Sequence, residues 1–168
     1  FSGRWQGTFA FTEPDAGSSF ADIKAKAVPT GEGHYFIKGK KVFISAGSHN
    51  GAENVIHLVA ARIEGSPRGT SGLSLFAVPE LRGDGRGGLV PNDVTCTGIE
   101  RKTGYRGIPA AQLSLGDNGN CYGWPVGDEN CGFAHMTHLL NLQRLNCALA
   151  SAGTASAAAS SLTTTFLI

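Results

Sequence analysis

Thr12-Glu13-Pro14-Asp15-Ala16-Gly17-Ser18 is a loop suited to close approach by a polar group. Pro14 fixes one turn, Gly17 permits tight backbone contact, and hydroxyls stand at both ends. Such a loop offers N–H and O–H donors to a phosphate or to the polar edge of a ring. Taken alone, an ordinary surface turn has the same composition.

Short strand patterns surround this loop. Residues 8–11 read as a strand ending at Glu13-Pro14, and residues 34–38 and 41–45 flank Gly39-Lys40 as a tight hairpin. Residues 55–62 read as a buried strand with Val55, His57, Val59 and Ala61 on one face. Residues 73–78 form another, stopped by Pro79, and 82–88 form a polar, Gly-rich loop. A further strand at 112–115 ends at Gly116-Asp117-Asn118-Gly119. Strands of this length and spacing predict a mainly β domain, a sandwich or barrel.

The pattern changes after Trp124. Gly127-Asp128-Glu129-Asn130 reads as a helix start, because acidic residues suit a helix N-terminus. Phe133, Met136, Leu140 and Cys147 then recur at helical spacing, and the Ala-rich stretch from Ala148 continues the helix. Gly153 and Thr163-Thr164-Thr165 weaken its far end. A helix with so little charge is usually buried on several sides. Nothing else in the chain could surround it, so partner helices are expected outside these residues.

Composition narrows the function classes. The 168 residues suit one domain with a real core and a small appendage. Charged residues are 16% against an ordinary share of about 25%, which points to surface normally covered by protein. Net charge is +1 with no basic patch or stripe, so no nucleic-acid partner is expected. Cys96, Cys121, Cys131 and Cys147 form no C-x-x-C pair and have no His at zinc-finger spacing. They read as free thiols of a reducing, cytoplasmic compartment, with a Cys121–Cys131 disulfide as the minority reading. No leader pattern opens the sequence. Residues 145–168 lack charge, but Ser, Thr and Asn are scattered through them, unlike the predominantly apolar run of about 20 residues a membrane span requires.

The blocks together resemble the acyl-CoA dehydrogenase family. Its Thr-Glu-Pro-x-Ala-Gly-Ser signature is matched at 12–18, followed at family-like distance by Gly39-Lys40-Lys41-Val42-Phe43-Ile44-Ser45. Lys102-Thr103-Gly104-Tyr105-Arg106-Gly107 looks like the family's Lys-x-Gly-x-Arg segment, and Gly132-Phe133 opens a helix carrying Arg144. The resemblance spans residues 5–150. Residues 49–78, with Glu53-Asn54 and Gly72-Leu73-Ser74-Leu75-Phe76, look most like the large bacterial subgroup of long-chain and methylmercaptopropionyl-CoA dehydrogenases.

The resemblance implies a middle-domain-like β-barrel or sandwich of short antiparallel strands over residues 1–124. The start of a carboxyl-terminal helical bundle follows at 125–168, truncated. It implies FAD as cofactor, with Phe11 and Thr12 along the flavin, Thr12 bonding the pyrimidine edge, and Ser18 holding the pyrophosphate. Phe43 stands where the family usually has Trp against the isoalloxazine, and Ser45 where it has Thr reaching N5. Phe keeps the aromatic face without the indole N–H, and Ser keeps the hydroxyl without the methyl that fixes its rotamer.

For the acyl-CoA substrate the resemblance points to Ser18, Asn141 and Arg144. Asn141 replaces the Asp that commonly touches the pantetheine arm. For Arg144 the alternative is a structural ion pair, with Glu13 as a partner. The family's catalytic carboxylate usually lies far downstream; in a minority it precedes the Arg, at the place Gln143 occupies here. An amide accepts no proton, so no catalytic residue is assigned. His135 and His138 lack a third ligand, so no metal is expected. Trp5 and Trp124 read as core or interdomain packing residues. The implied function is a fragment of an FAD-dependent acyl-CoA dehydrogenase, inactive alone, binding FAD weakly or not at all. In the full-length protein it would be a homo-oligomer using an electron-transfer flavoprotein or similar acceptor. The alternative is a non-catalytic flavin or binding module of the same family. The ending at 160–168 departs from the charged helix the family normally continues.

Overall fold

The computed structural model describes residues 2–166; Phe1, Leu167 and Ile168 lie outside the described residues, including the end of the divergent 160–168 stretch. The chain divides into two compact units, Phe1–Phe133 and Ala134–Ile168. The first is a mainly β unit of ten strands: β1 (Trp5–Ala10), β2 (Lys26–Pro29), β3 (Tyr35–Ser45), β4 (Asn54–Ile63), β5 (Leu73–Pro79), β6 (Leu81–Gly83), β7 (Leu89–Pro91), β8 (Val94–Ile99), β9 (Ala110–Leu115) and β10 (Tyr122–Pro125). Helix α1 (Gly132–Phe166) begins at its end and makes up the second unit.

Five strands close into a barrel. β4 pairs with β5, β5 with β10, β10 with β3, β3 with β2, and β2 returns to β4. β1 extends the sheet beyond β4, and β9 and β8 extend it beyond β3. Pairing is not antiparallel throughout: β1 runs parallel to β4, and so does β2. Closure removes the free edges that a short-stranded open sheet would expose. Alternation along β4 buries Val55, His57, Val59 and Ala61, as the sequence pattern requires. Leu73, Leu75, Phe76, Val78, Ile37 and Leu113 are buried with them at 1% exposure or less.

Gly39-Lys40 is not a hairpin. Both residues lie inside β3, which runs unbroken for 11 residues. Its first half pairs with β2, and from Gly39 onward it pairs with β9. The glycine serves close approach rather than a turn: a Cβ there would stand 2.7 Å from the Ala25 Cβ. Strands β2, β7, β8 and β10 lie where no strand is read from the sequence, and the Gly-rich loop is narrower than expected because Arg82 and Gly83 belong to β6. Trp5 and Trp124 are at the surface, 55% and 39% exposed, not in the core.

The helix does not begin at Gly127–Asn130. Gly127 and Asn130 have φ of 74° and 61°, outside the right-handed helical region. Asn130 N–H donates to Ser74 Oγ at 2.8 Å, Glu129 accepts from the Tyr35 hydroxyl, and α1 starts at Gly132. It then runs through Gly153 and the threonine run to Phe166. Residues 141–161 are exposed throughout, among them Leu142, Leu145 and Leu149. Cys147 is exposed too, so the apolar face is not buried over its whole length. No helix is long and apolar enough to cross a membrane among the described residues.

Candidate functional site

The loop after β1 is a two-way turn. Glu13 and Ala16 exchange backbone hydrogen bonds of 3.0 and 3.1 Å, with Pro14 at the position whose φ the ring presets. Phe11, 5% exposed, contacts the Phe9 ring at 5.6 Å, and Thr12 is half-buried beside it. The Val42 N–H donates to the Thr12 carbonyl at 2.9 Å. That bond places the loop against β3 one residue before Phe43.

Here β3 is distorted. The pairing with β9 slips between Lys41 and Ile44, a bulge that re-aims side chains on the strand. Phe43 has φ of 60° and Ala46 of 52°; for residues with a Cβ such values cost about 1–3 kcal/mol each. The result is a Phe43 ring that is 64% exposed, while Ile44 next to it is 1% exposed. Ser45 returns to register opposite Ala110, is exposed, and is followed by an Ala46 N–H donating to the Pro109 carbonyl at 2.7 Å.

The backbone of Thr12 thus lies beside Val42, next to Phe43 and three residues before Ser45 on β3. Pro109 belongs to a neighbouring cleft of about 230 Å³ lined by Glu100, Arg101, Lys102, Arg106 and Ile108 among others. Lys102 folds this loop on itself, donating to the carbonyls of Tyr105 at 2.7 Å and Ile108 at 2.6 Å. Ser18 is exposed just ahead of the 3-10 turn Phe20–Asp22, and no hydrogen bond links it to the other three among the described residues. On α1, Arg144 donates to Asn141 Oδ1 at 2.7 Å.

Under the loop lies a group that the sequence pattern did not reveal. Lys41, with no exposed surface, donates to Glu13 Oε1 at 2.9 Å, to the Phe11 carbonyl at 3.1 Å and to the Ala60 carbonyl at 2.7 Å. Burial pulls its ammonium down to about 8, with the Glu13 carboxylate opposing the shift. The Glu13 carboxylate also accepts from the Lys24 and Ala25 N–H groups at 2.7 and 2.9 Å. An inward Lys at 41, in step with Tyr35 and Ile37, was the available signal.

All four cysteines are free thiols, and burial pushes Cys121 up to about 12. Among the described residues no three His, Cys, Asp or Glu side chains cluster so as to hold a metal ion.

Comparison with known proteins agrees in one direction. The model of the acyl-CoA dehydrogenase middle domain matches residues 8–118. A butyryl-CoA dehydrogenase of Syntrophomonas wolfei is 45% identical over 154 residues, covering 87% of this chain and 25% of the relative. The 3-methylmercaptopropionyl-CoA dehydrogenase of Ruegeria pomeroyi is 41% identical over 144 residues, covering 85% and 24%. Among solved structures, ACDH-11 of Caenorhabditis elegans in complex with C11-CoA superposes with a TM-score of 0.66 at 29% identity, over 82% of this chain and 22% of that one. The chain spans about a quarter of the length of the curated relatives it matches.

Proposed function

We propose, since the chain belongs to the acyl-CoA dehydrogenase family, that its barrel supplies one wall of an FAD site in an enzyme desaturating acyl-CoA thioesters between Cα and Cβ. The observation that carries this reading is Phe43. A strained bulge turns a large aromatic face toward solvent, beside the backbone-pinned Thr12 loop. Strain held at an exposed position is characteristic of binding sites, and a flat ring laid on Phe43 would take that face out of water. The residues present fit a flavin.

The chemistry FAD would supply there is acceptance of the hydride leaving the substrate β-carbon. The chain's own residues bind and orient. Phe43 would cover the isoalloxazine, Phe11 and Thr12 would lie along it, and the Thr12 hydroxyl would bond its pyrimidine edge. Ser45 would bond its N5, and Ser18 would hold the pyrophosphate and border the substrate. Asn141 and Arg144, already bonded to each other, would present an amide and a guanidinium to the pantetheine arm of CoA. Gln143 takes up no proton, so removal of the α-proton is assigned to no residue of this chain. Reoxidation by an electron-transfer flavoprotein or similar acceptor, a homo-oligomeric full-length protein and a cytoplasmic setting belong to the same proposal.

The test is a titration of the chain with FAD, following flavin fluorescence. Weak, saturable quenching is expected, abolished by Phe43→Ala and weakened by Thr12→Ala. Equal quenching by wild type and Phe43→Ala would refute the assignment. Anaerobic mixing with acyl-CoAs should leave the bound flavin oxidised; bleaching at enzymatic rates would mean that a base had been missed.

A further inference from the structure

Lys41 occupies a position where the strand pattern calls for an apolar side chain. Tyr35 and Ile37, at the same inward phase of β3, are buried, and Lys41 follows them into the interior with no exposed surface. Its three N–H donors meet three acceptors on two segments: Phe11 and Glu13 in the loop after β1, and Ala60 in β4. Glu13 is equally engaged. One carboxylate oxygen takes Lys41 and the Ala25 N–H, and the other takes the Lys24 N–H.

One ion pair therefore grips both ends of a single segment. Phe11 and Glu13 are its entrance, Lys24 and Ala25 its exit into β2, and between them lie Thr12 and Ser18. Two residues beyond Lys41 on β3 stands the bulged Phe43, and the Val42 N–H holds the Thr12 carbonyl. A buried ion pair is a poor device for stability alone, because desolvation consumes most of its attraction; apolar replacements are often as stable. It is a good device for fixing geometry, since its directional bonds admit one arrangement.

We propose that Lys41 and Glu13 are positioning residues, a clamp that fixes the 12–25 segment and so sets Thr12 against Phe43. The consequence for flavin rests on the reading given above; the clamp itself does not.

The test uses the double variant Lys41→Met/Glu13→Gln, because Lys41→Met alone would strand a buried carboxylate and risk unfolding. Two measurements are made beside wild type: amide hydrogen exchange, and the denaturation midpoint. The double variant should keep a midpoint close to wild type while exchange at Lys24 and Ala25 accelerates about tenfold or more, with the β8–β9 amides unchanged. FAD affinity should fall about tenfold, and the visible circular dichroism of any bound flavin should weaken. Unchanged exchange at Lys24 and Ala25 would overturn the clamp. So would acceleration spread evenly over the barrel with a lowered midpoint, which would make the pair a stabilising element only. Local acceleration with FAD bound equally well by both proteins would uphold the clamp and sink its consequence for flavin.

Discussion

Lowering the pH from 7 to 4 should weaken the fold through one side chain, His57. The ring has no exposed surface; Thr8 Oγ1 lies 2.7 Å from Nδ1, and Nε2 has no hydrogen-bond partner. Charging it would place a cation among apolar side chains, and burial accordingly pulls it from 6.5 down to about 4. The folded state favours the neutral ring. Above pH 6.5 neither state carries the proton; below it the unfolded chain takes up a proton that the folded chain refuses. Stability from this group is therefore present above 6.5, falls as pH drops toward 4, and levels off below. At about 1.4 kcal/mol per pH unit, the full loss is about 3 kcal/mol, a large share of a typical domain's stability. Urea unfolding followed by far-ultraviolet circular dichroism at pH 7.5, 6.5, 5.5 and 4.5 measures it against His57→Leu. The variant loses the Thr8 bond at every pH, a constant offset, so the difference between the two proteins isolates titration. A wild-type advantage that stays constant from pH 7.5 to 4.5 would show that the ring is charged in the fold without penalty, and the reasoning would fail.

Phe43→Gly should relieve the left-handed strain and raise stability by about 1 kcal/mol while FAD binding is lost; denaturation and flavin titration of one sample read both. Asn92 is buried and bonds the Pro79 carbonyl and both backbone groups of Tyr122 at 2.8–2.9 Å. Asn92→Ala strands those groups and should cost about 3 kcal/mol by urea unfolding. In the native protein, Cys131 and Cys147 are exposed and should react with a thiol reagent promptly, whereas Cys121 should react only on unfolding.

The elements legible in the sequence are those whose order is local. The two-residue period of β4 and the Pro14 turn each state their structure within a few residues. The closing strand β2 has four residues and is defined by its partners β3 and β4 rather than by its own pattern. Gly39 misled because glycine marks both turns and close approaches, and only the distance to Ala25 decides between them. Thr12, Phe43 and Ser45 were named through the resemblance of their motifs to the family's. The Lys41 that ties them to the barrel was not, because its acceptors come from 19, 28 and 30 residues away.

The bulge and the clamp belong to one arrangement on β3. A strand that left β2 for β9 without irregularity would keep a strict alternation, and Phe43, two positions on from buried Lys41, would point inward with it. The bulge reverses the phase between Lys41 and Ile44, so a buried cation and an exposed ring occupy positions of nominally equal phase. Each departure removes something from stability: a left-handed backbone in one case, a desolvated ion pair in the other. The cation bonds the Phe11 carbonyl and the Glu13 carboxylate on either side of Thr12, and the Val42 N–H beside the bulge bonds the Thr12 carbonyl. Regularising β3 by deleting Val42 would restore one-to-one pairing with β9, leaving Phe43 one position after Lys41 and outward in ordinary extended backbone. It should relieve the left-handed strain at Phe43 while removing the Val42 N–H that holds the Thr12 carbonyl, so FAD quenching should weaken although the sheet gains stability.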